Sequence, residues 1–367
     1  LGALALTLMQ DNNYIKLNSV PNSDLQIWAS YSIENEARLN DIIQGSIVEE
    51  FADVCDLKFT AKKMTYQNKY PVYMAGIPVA AYQLEKYKGI LLENQYTIVL
   101  YVEADDQSTN TKQKKIRKLE GVYSPGTYIP EDTTSFQSST HIVCIWIKQY
   151  KHKQKMHFVI GVAIYDLITN KSYIFEYEVQ ENKVEMTTFD ELERILTIYR
   201  PKEVILISEI PDIKDFIPSL RSMYVHELST TDVVIQNAEK QKHCDYIFSR
   251  YFDADALSQC LEIVEYPLAT QSFVVLLNFL EEHNPVLCKK ITLPEWECRN
   301  LYTKLANHTL IQLNILDQNN KNKTLYSTFR KQANTYSSVY SLLDRCKTSM
   351  GSRLFFQNLT HPTCDEK

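Results

Sequence analysis

Glycine is scarce in this chain, eight in 367 residues, and no stretch reads G-x-x-x-x-G-K-[ST]. So few glycines leave little room for loops that cradle phosphates, and the missing pattern excludes P-loop chemistry within these residues. Cysteine pairs of the form C-x-x-C are also missing. The eight cysteines (Cys55, Cys144, Cys244, Cys260, Cys288, Cys298, Cys346 and Cys364) sit mostly in apolar runs. They read as buried free thiols of a reducing compartment, not as a zinc site or a disulfide framework. No run approaches the roughly 18 uninterrupted apolar residues that a membrane-spanning helix needs. The apolar start, Leu1 to Met9, lacks a basic leader and a cleavage signature, and reads as a core strand that has lost its beginning. The expectation is a soluble, intracellular protein cut short at both ends. Positive charge is not in excess, with 39 Lys and Arg against 45 Asp and Glu and a net charge of -6. Any nucleic-acid binding must therefore use local basic patches and not the overall field.

What is present is a globular composition, 44% hydrophobic and 23% charged, with 24 tyrosines. The length suggests two or three domains. The first region is mixed α/β. Ile43, Ile47, Phe51, Val54 and Cys55 give helical spacing over 41–57, Tyr70 to Ile77 reads as a strand ending at Pro78, and 80–93 returns to helical spacing. Thr97 to Glu103 is a buried strand, and Leu119 to Tyr128 is a strand closed by the turn Ser124-Pro-Gly-Thr127. After a Ser/Thr-rich loop, 130–140, come strands at 141–147, 158–165 and 173–179, a helix at 189–199 stopped by Pro201, and a strand at 203–208. A meander followed by a strand-helix-strand crossover predicts an α/β layer sheet. From about residue 266 the chain reads as helical, with runs at 270–282, 297–316, 337–345 and 349–359, the last stopped by Pro362.

Three strings carry a family resemblance. Leu342-Leu-Asp344, Thr348-Ser-Met-Gly-Ser-Arg353 and Leu359-Thr-His-Pro362 resemble the T-P-M-G-S-R segment of the MutS family, with Ser349 in place of the proline. Physically, Thr348 or Ser349 caps a helix, Gly351 lets another backbone approach, and Arg353 braces a junction between helices. Met74-Ala-Gly-Ile-Pro78, with Gly76 and Pro78 as its fixed points, resembles the A-G-[VI]-P strand of the MutS mismatch-binding domain. Leu119 to Thr127, with Pro125 and Gly126, resembles the R-x-[VI]-T-P-G-T strand that closes that domain. Val48 to Lys63 and Leu305 to Asn314 are similar to further family segments, and the order of all of them fits. The Tyr, Asn and Lys usage resembles the divergent branch of large DNA viruses and octocoral mitochondria.

The resemblance implies a mixed α/β mismatch-recognition domain over 1–129, an RNase H-like connector domain over 130–265, and the start of a helical core and lever domain over 266–367. It implies a clamp segment that binds double-stranded DNA with mismatches or small loops, as part of a homodimer. It implies that ATP and Mg2+ act in an ATPase domain beyond this chain, with no catalytic residue and no metal here. The family's mismatch reader, F-x-E, is missing: Gln10 runs into Asp11-Asn-Asn-Tyr14. Tyr14 is the nearest aromatic that could wedge into a base stack.

Basic groups offer phosphate contacts that carry no sequence information. Lys62 and Lys63 sit where the resemblance places a DNA-facing strand. Lys112, Lys114 and Lys115 form a run that is either a DNA contact or a solvated loop. Lys148, Lys151, Lys153 and Lys155 read as solvated, and His152 with His157 is a poor metal pair. Two rival readings remain. Asp166, Glu176, Glu178 and Asp190 could bind two Mg2+ ions in a nuclease or resolvase, or the chain could be a repair-derived scaffold without mismatch reading.

Overall fold

The fold is that of a computed structural model, which describes residues 4–9, 14–18, 24–27, 47–58, 60–66, 70–78, 81–104, 116–129, 141–153, 155–181, 183–253, 262–296, 309–316, 338–360 and 362. The chain divides into two compact units, Leu1–Pro130 and Glu131–Lys367.

In the first unit, β1 (Leu4–Met9), β2 (Tyr14–Asn18) and β3 (Asp24–Ile27) are followed by α1 (Ile47–Val54), β4 (Thr60–Tyr66), β5 (Tyr70–Met74), β6 (Gly76–Pro78), α2 (Ala81–Glu93), β7 (Thr97–Ala104) and β8 (Ile116–Tyr123). Six of the strands form one sheet in the order β6-β3-β1-β2-β7-β8, while β4 and β5 form a separate hairpin. The single strand expected over 70–77 is thus two strands with different partners. Ala75, fully buried, marks the break between them. The core joins Phe51, Ala52 and Cys55 of the α1 region to Leu91 and Leu92 of α2 and Ile98 and Leu100 of β7.

The second unit is built on β9 (His141–His152), β10 (Lys155–Asp166), β11 (Ser172–Glu181), β12 (Glu203–Ser208), β13 (Tyr224–Leu228) and β14 (Glu295–Trp296). Their order in the sheet is β13-β12-β9-β10-β11-β14. The first three are an antiparallel meander, and β12 and β13 join parallel on the β9 side. Both faces are covered, which is why the inner strands are continuous apolar runs. Val143, Ile145, Phe158, Ile160, Val204 and Leu206 pack against α3 (Asp190–Tyr199) through Leu192, Ile195 and Leu196. α3 stops at Arg200, whose φ of 44° is left-handed, just before Pro201. On the other face, Ile142, Cys144, Trp146, Ala163 and Tyr165 pack with Phe273, Val274, Leu276, Leu277 and Leu280. These belong to a long helix, Pro267–His283. Before it come α4 (Ile213–Phe216), α5 (Val233–Ala238), α6 (Gln241–Tyr251) and α7 (Glu262–Glu265), so the long helix is α8. After it come α9 (Pro285–Cys288), α10 (Thr309–Gln312), α11 (Val339–Leu343) and α12 (Ser349–Thr360).

α8, which begins beside the boundary expected at residue 266, covers one face of the sheet together with α5 and α6, because its apolar residues meet the β9 and β10 side chains. The β9–β10 hairpin also runs well past its apolar residues, to a turn between His152 and Lys155. Backbone pairing holds that extension, together with a buried His157 that stacks on Tyr150 and pairs with Glu178. The lysine run thus falls on paired strands and their turn, with Lys153 at a φ of 46°. Of the helix expected over 297–316, residues 297–308 lie outside the described residues.

Among the described residues no helix is long and apolar enough to cross a membrane. Cys55, Cys144, Cys244 and Cys288 are buried free thiols, but Cys346 is exposed, against the expectation of buried cysteines. Burial pushes the Cys55 thiol up to about 12, so it stays protonated at neutral pH.

Candidate nucleic-acid interface

Lys62 and Lys63, read from the sequence, fall on β4 of the β4–β5 hairpin. Lys62 pairs with Val72, and the register then slips before Thr65 meets Pro71, so Lys63 falls in a bulge. The shift takes in both Lys63 and Met64, and such an irregularity bends the strand. Gly76 and Pro78 lie in β6, paired with Gln26 and Asp24 of β3. Tyr14 opens β2 and is paired with Met9 on one side and Thr97 on the other. The wedge candidate therefore stands at the end of an inner strand and not on a free loop. Lys112, Lys114 and Lys115 lie outside the described residues.

The turn after β8 is a closed hydrogen-bond unit. The Ser124 backbone N–H donates to Thr127 Oγ1 at 3.1 Å, the two hydroxyls meet at 2.8 Å, and the Thr127 N–H returns to Ser124 Oγ at 3.3 Å. Pro125 and Gly126 fill the two positions between them, and Gly126 is buried. Beyond the turn, the Tyr128 hydroxyl donates to Glu85 of α2. Glu85 also takes the Lys88 ammonium at 2.7 Å, and that ammonium stands 4.4 Å from the Tyr123 ring centroid. The turn is thereby latched to α2. Nothing in the strings had singled out Glu85 or Lys88. An i, i+3 acid–base pair was the available signal.

In the second unit the four carboxylates of the nuclease reading are engaged separately. Asp166 accepts from the Ile168 N–H at 3.1 Å and the Thr169 hydroxyl at 2.7 Å, which is a hairpin turn. Glu178 accepts from the Tyr150 hydroxyl at 2.9 Å and is paired with His157. Hydrogen bonds from His157 and Tyr150 hold its carboxyl below the usual range. Asp190 stands in the first turn of α3, where a negative charge suits the helix dipole. Glu176 accepts the backbone N–H groups of Leu268 and Ala269 at 2.8 and 3.0 Å. Burial raises its carboxyl while those two donors oppose the rise. Among the described residues no group of three His, Cys, Asp or Glu stands where it could hold a metal. The His152 and His157 rings are edge-to-face with centroids 5.8 Å apart.

Glu176 has a structural task. Pro267, the first residue of α8, has no N–H to satisfy. Leu268 and Ala269 donate to Glu176, and Thr270 donates to the Tyr266 carbonyl. All four opening positions of α8 are thereby accounted for. Gly161, directly paired with Glu176 across the β10–β11 ladder, makes the approach possible. A Cβ there would stand 2.5 Å from the Leu268 carbonyl carbon and 2.7 Å from the Ala269 nitrogen. A glycine inside an apolar strand was the signal for close backbone approach.

At the far end of the chain, Thr348 Oγ1 accepts from the Gly351 N–H at 3.2 Å, at the start of α12. Gly351 faces the Cys346 Cβ and the Thr348 hydroxyl, each 3.3 Å from a Cβ built on it. The neighbour is a side chain, not the second backbone that the sequence suggested. Arg353 is half-buried on α12. The corner is tied by Asp344, which accepts from Ser352 and from the Cys346 N–H, and by Tyr340, whose hydroxyl lies 2.9 Å from that of Ser352.

The sequence is similar to those of known proteins. The family model described as MutS domain I matches residues 48–132. A mutS homologue of Acanthamoeba polyphaga mimivirus, named as a putative DNA mismatch repair protein, is 26% identical over 311 residues, covering 77% of this chain and 26% of its own length. The DNA mismatch repair protein MutS of Halothermothrix orenii is 25% identical over 313 residues, covering 84% of this chain and 30% of its own. The chain thus spans about a quarter to a third of the length of these relatives. A Fowlpox virus resolvase solved with Holliday junction DNA covers 38% of this chain at 18% identity, but its TM-score of 0.21 carries no argument. Two of the three resembling strings lie inside the span that the domain I model matches, and the relatives align over most of the chain: residues 48–132 match MutS domain I, and the chain as a whole is similar to MutS proteins.

Proposed function

We propose that this chain is the DNA-handling part of a mismatch-repair protein. Residues 1–129 act as the mismatch-recognition domain, and the bulged β4–β5 hairpin brings Lys62 and Lys63 to the duplex backbone. The observation that carries this reading is the MutS domain I match over 48–132, which takes in the hairpin, the Gly76–Pro78 strand and the Ser124–Thr127 turn. The sheet of the second unit supports the reading of residues 130–265 as an RNase H-like connector. It has an antiparallel meander with two parallel strands added beside its first strand. Residues 266–367 lead into the core and levers, although α8 packs with the connector sheet. No P-loop pattern occurs in these residues, and this reading gives ATP and Mg2+ no role in them. They act in an ATPase outside the matched span, and two such proteins close around duplex DNA containing a mismatch or small loop.

The test is a salt titration of duplex binding. Replacing Lys62 and Lys63 with alanine should weaken binding equally for all sequences. It should also flatten the dependence of log affinity on log salt by roughly one unit for each phosphate that is no longer neutralised. An unchanged affinity and slope would remove the hairpin from the interface.

A further inference from the structure

At the end of α8 a histidine is enclosed with half of its hydrogen bonding unmet. His283 is 8% exposed. Its Nδ1 lies 2.9 Å from the Phe279 carbonyl, so Nδ1 carries the proton and donates, leaving Nε2 with a bare lone pair. Among the described residues, Nε2 is buried without a hydrogen-bond partner. The ring stacks on Phe279 with centroids 4.0 Å apart, and Phe279 in turn meets the His226 ring at 5.2 Å. His226 is hydrogen-bonded through Nε2 to Glu203, which is fully buried. The stack thus runs from β12 (Glu203) and β13 (His226), at the edge of the sheet, to the last turn of α8. One residue further on, Asn284 caps α9 by accepting from the Val286 N–H at 3.2 Å.

We propose that this Glu203–His226–Phe279–His283 stack is an acid-sensitive latch that holds the α8–α9 corner on the edge of the sheet. A neutral His283 fits the closed slot. A protonated one would place a charge, and a second N–H facing no acceptor, in a buried space. The groups facing it divide. Burial disfavours the charge most and His226 opposes it, whereas Glu203 and Glu282 favour it, and the balance lowers the pKa of His283. The sign follows. A histidine whose pKa is lowered by folding stabilises the closed state above the ordinary value of about 6.5, and that stability is lost as pH falls below it. The corner therefore opens in acid while the sheet stays intact.

Hydrogen exchange on the 367-residue chain, corrected for intrinsic rates, tests this. Between pH 7.5 and 5.5, protection of peptides spanning 276–288 should fall by up to about tenfold per pH unit below about 6.5, the limit for one proton. Peptides of β10 should not respond. His283→Phe fills the slot without a titrating nitrogen and should abolish the pH dependence, and His283→Gln should do the same if the larger ring disturbs folding. Independently of either variant, the His283 ring protons in an NMR titration of the unmodified chain should report a pKa below the ordinary one. Identical pH profiles in the unmodified chain and both variants would overturn the proposal. So would a His283 that titrates at or above the ordinary histidine value.

Discussion

Gly161 and Glu176 form one device split between neighbouring strands. The missing side chain on one lets the start of α8 touch the sheet, and the carboxylate of the other holds it there. Gly161→Ala would press a methyl group into backbone atoms of Leu268 and Ala269, which cannot rotate away. The expected cost is about 1–3 kcal/mol, read from the urea midpoint. An unchanged midpoint would mean that α8 sits further from the sheet. Neither role was legible in the sequence. Glu176 stood out as a possible metal ligand because it is an acid on an apolar strand. Its partners lie some 90 residues away, and no local pattern connects them. The lysines of the β4–β5 hairpin stand out only through the resemblance, since two adjacent lysines on a strand look the same whether they meet DNA or water.

At the scale of elements, strands with alternating or continuous apolar residues were readable, as were helices with caps and proline stops. Elements with few apolar residues were not. The polar end of the β9–β10 hairpin has too few apolar residues to show a period, and the edge strand β13 is only partly buried. Thr127→Val tests the turn that closes β8. It removes the acceptor of the Ser124 N–H while keeping the shape of the side chain. The expected loss is about 1–3 kcal/mol for the stranded buried donor, measured by thermal or urea unfolding. The α11–α12 corner should respond to acid. Burial pushes Asp344 up, but hydrogen bonds from Ser352 and from Cys346 outweigh it and leave the carboxyl below its ordinary range. A carboxylate lowered by folding stabilises the fold above its ordinary pKa of about 3.9, and that contribution fades as pH falls through the lowered value. Asp344→Asn should remove this part of the acid response in hydrogen exchange over 338–360. A variant that responds like the unmodified chain would take Asp344 out of the corner.

For the whole molecule, the proposed reading gives duplex binding to the first unit. The similarity to MutS proteins was legible from three short strings in the right order. Limits between parts are hard to read in a sequence, because a helix with an apolar face can as easily cover a neighbouring sheet as begin a helical domain. The missing F-x-E reader gives the sharpest expectation, because mismatch preference requires an inserted side chain and Tyr14 stands paired at the start of an inner strand. The direct measurement is fluorescence anisotropy of labelled duplexes at fixed salt, one fully matched and one with a single G·T mismatch, against the unmodified chain and the Lys62→Ala, Lys63→Ala double variant. The expected result is weak binding of both duplexes with affinities within about threefold of each other (about 0.7 kcal/mol), and a similar weakening of both in the variant. Failure to bind either duplex would contradict the assignment of DNA handling to this chain. A mismatch preference of about tenfold or more, about 1.4 kcal/mol, would contradict the absence of a reader and make Tyr14 the first residue to replace.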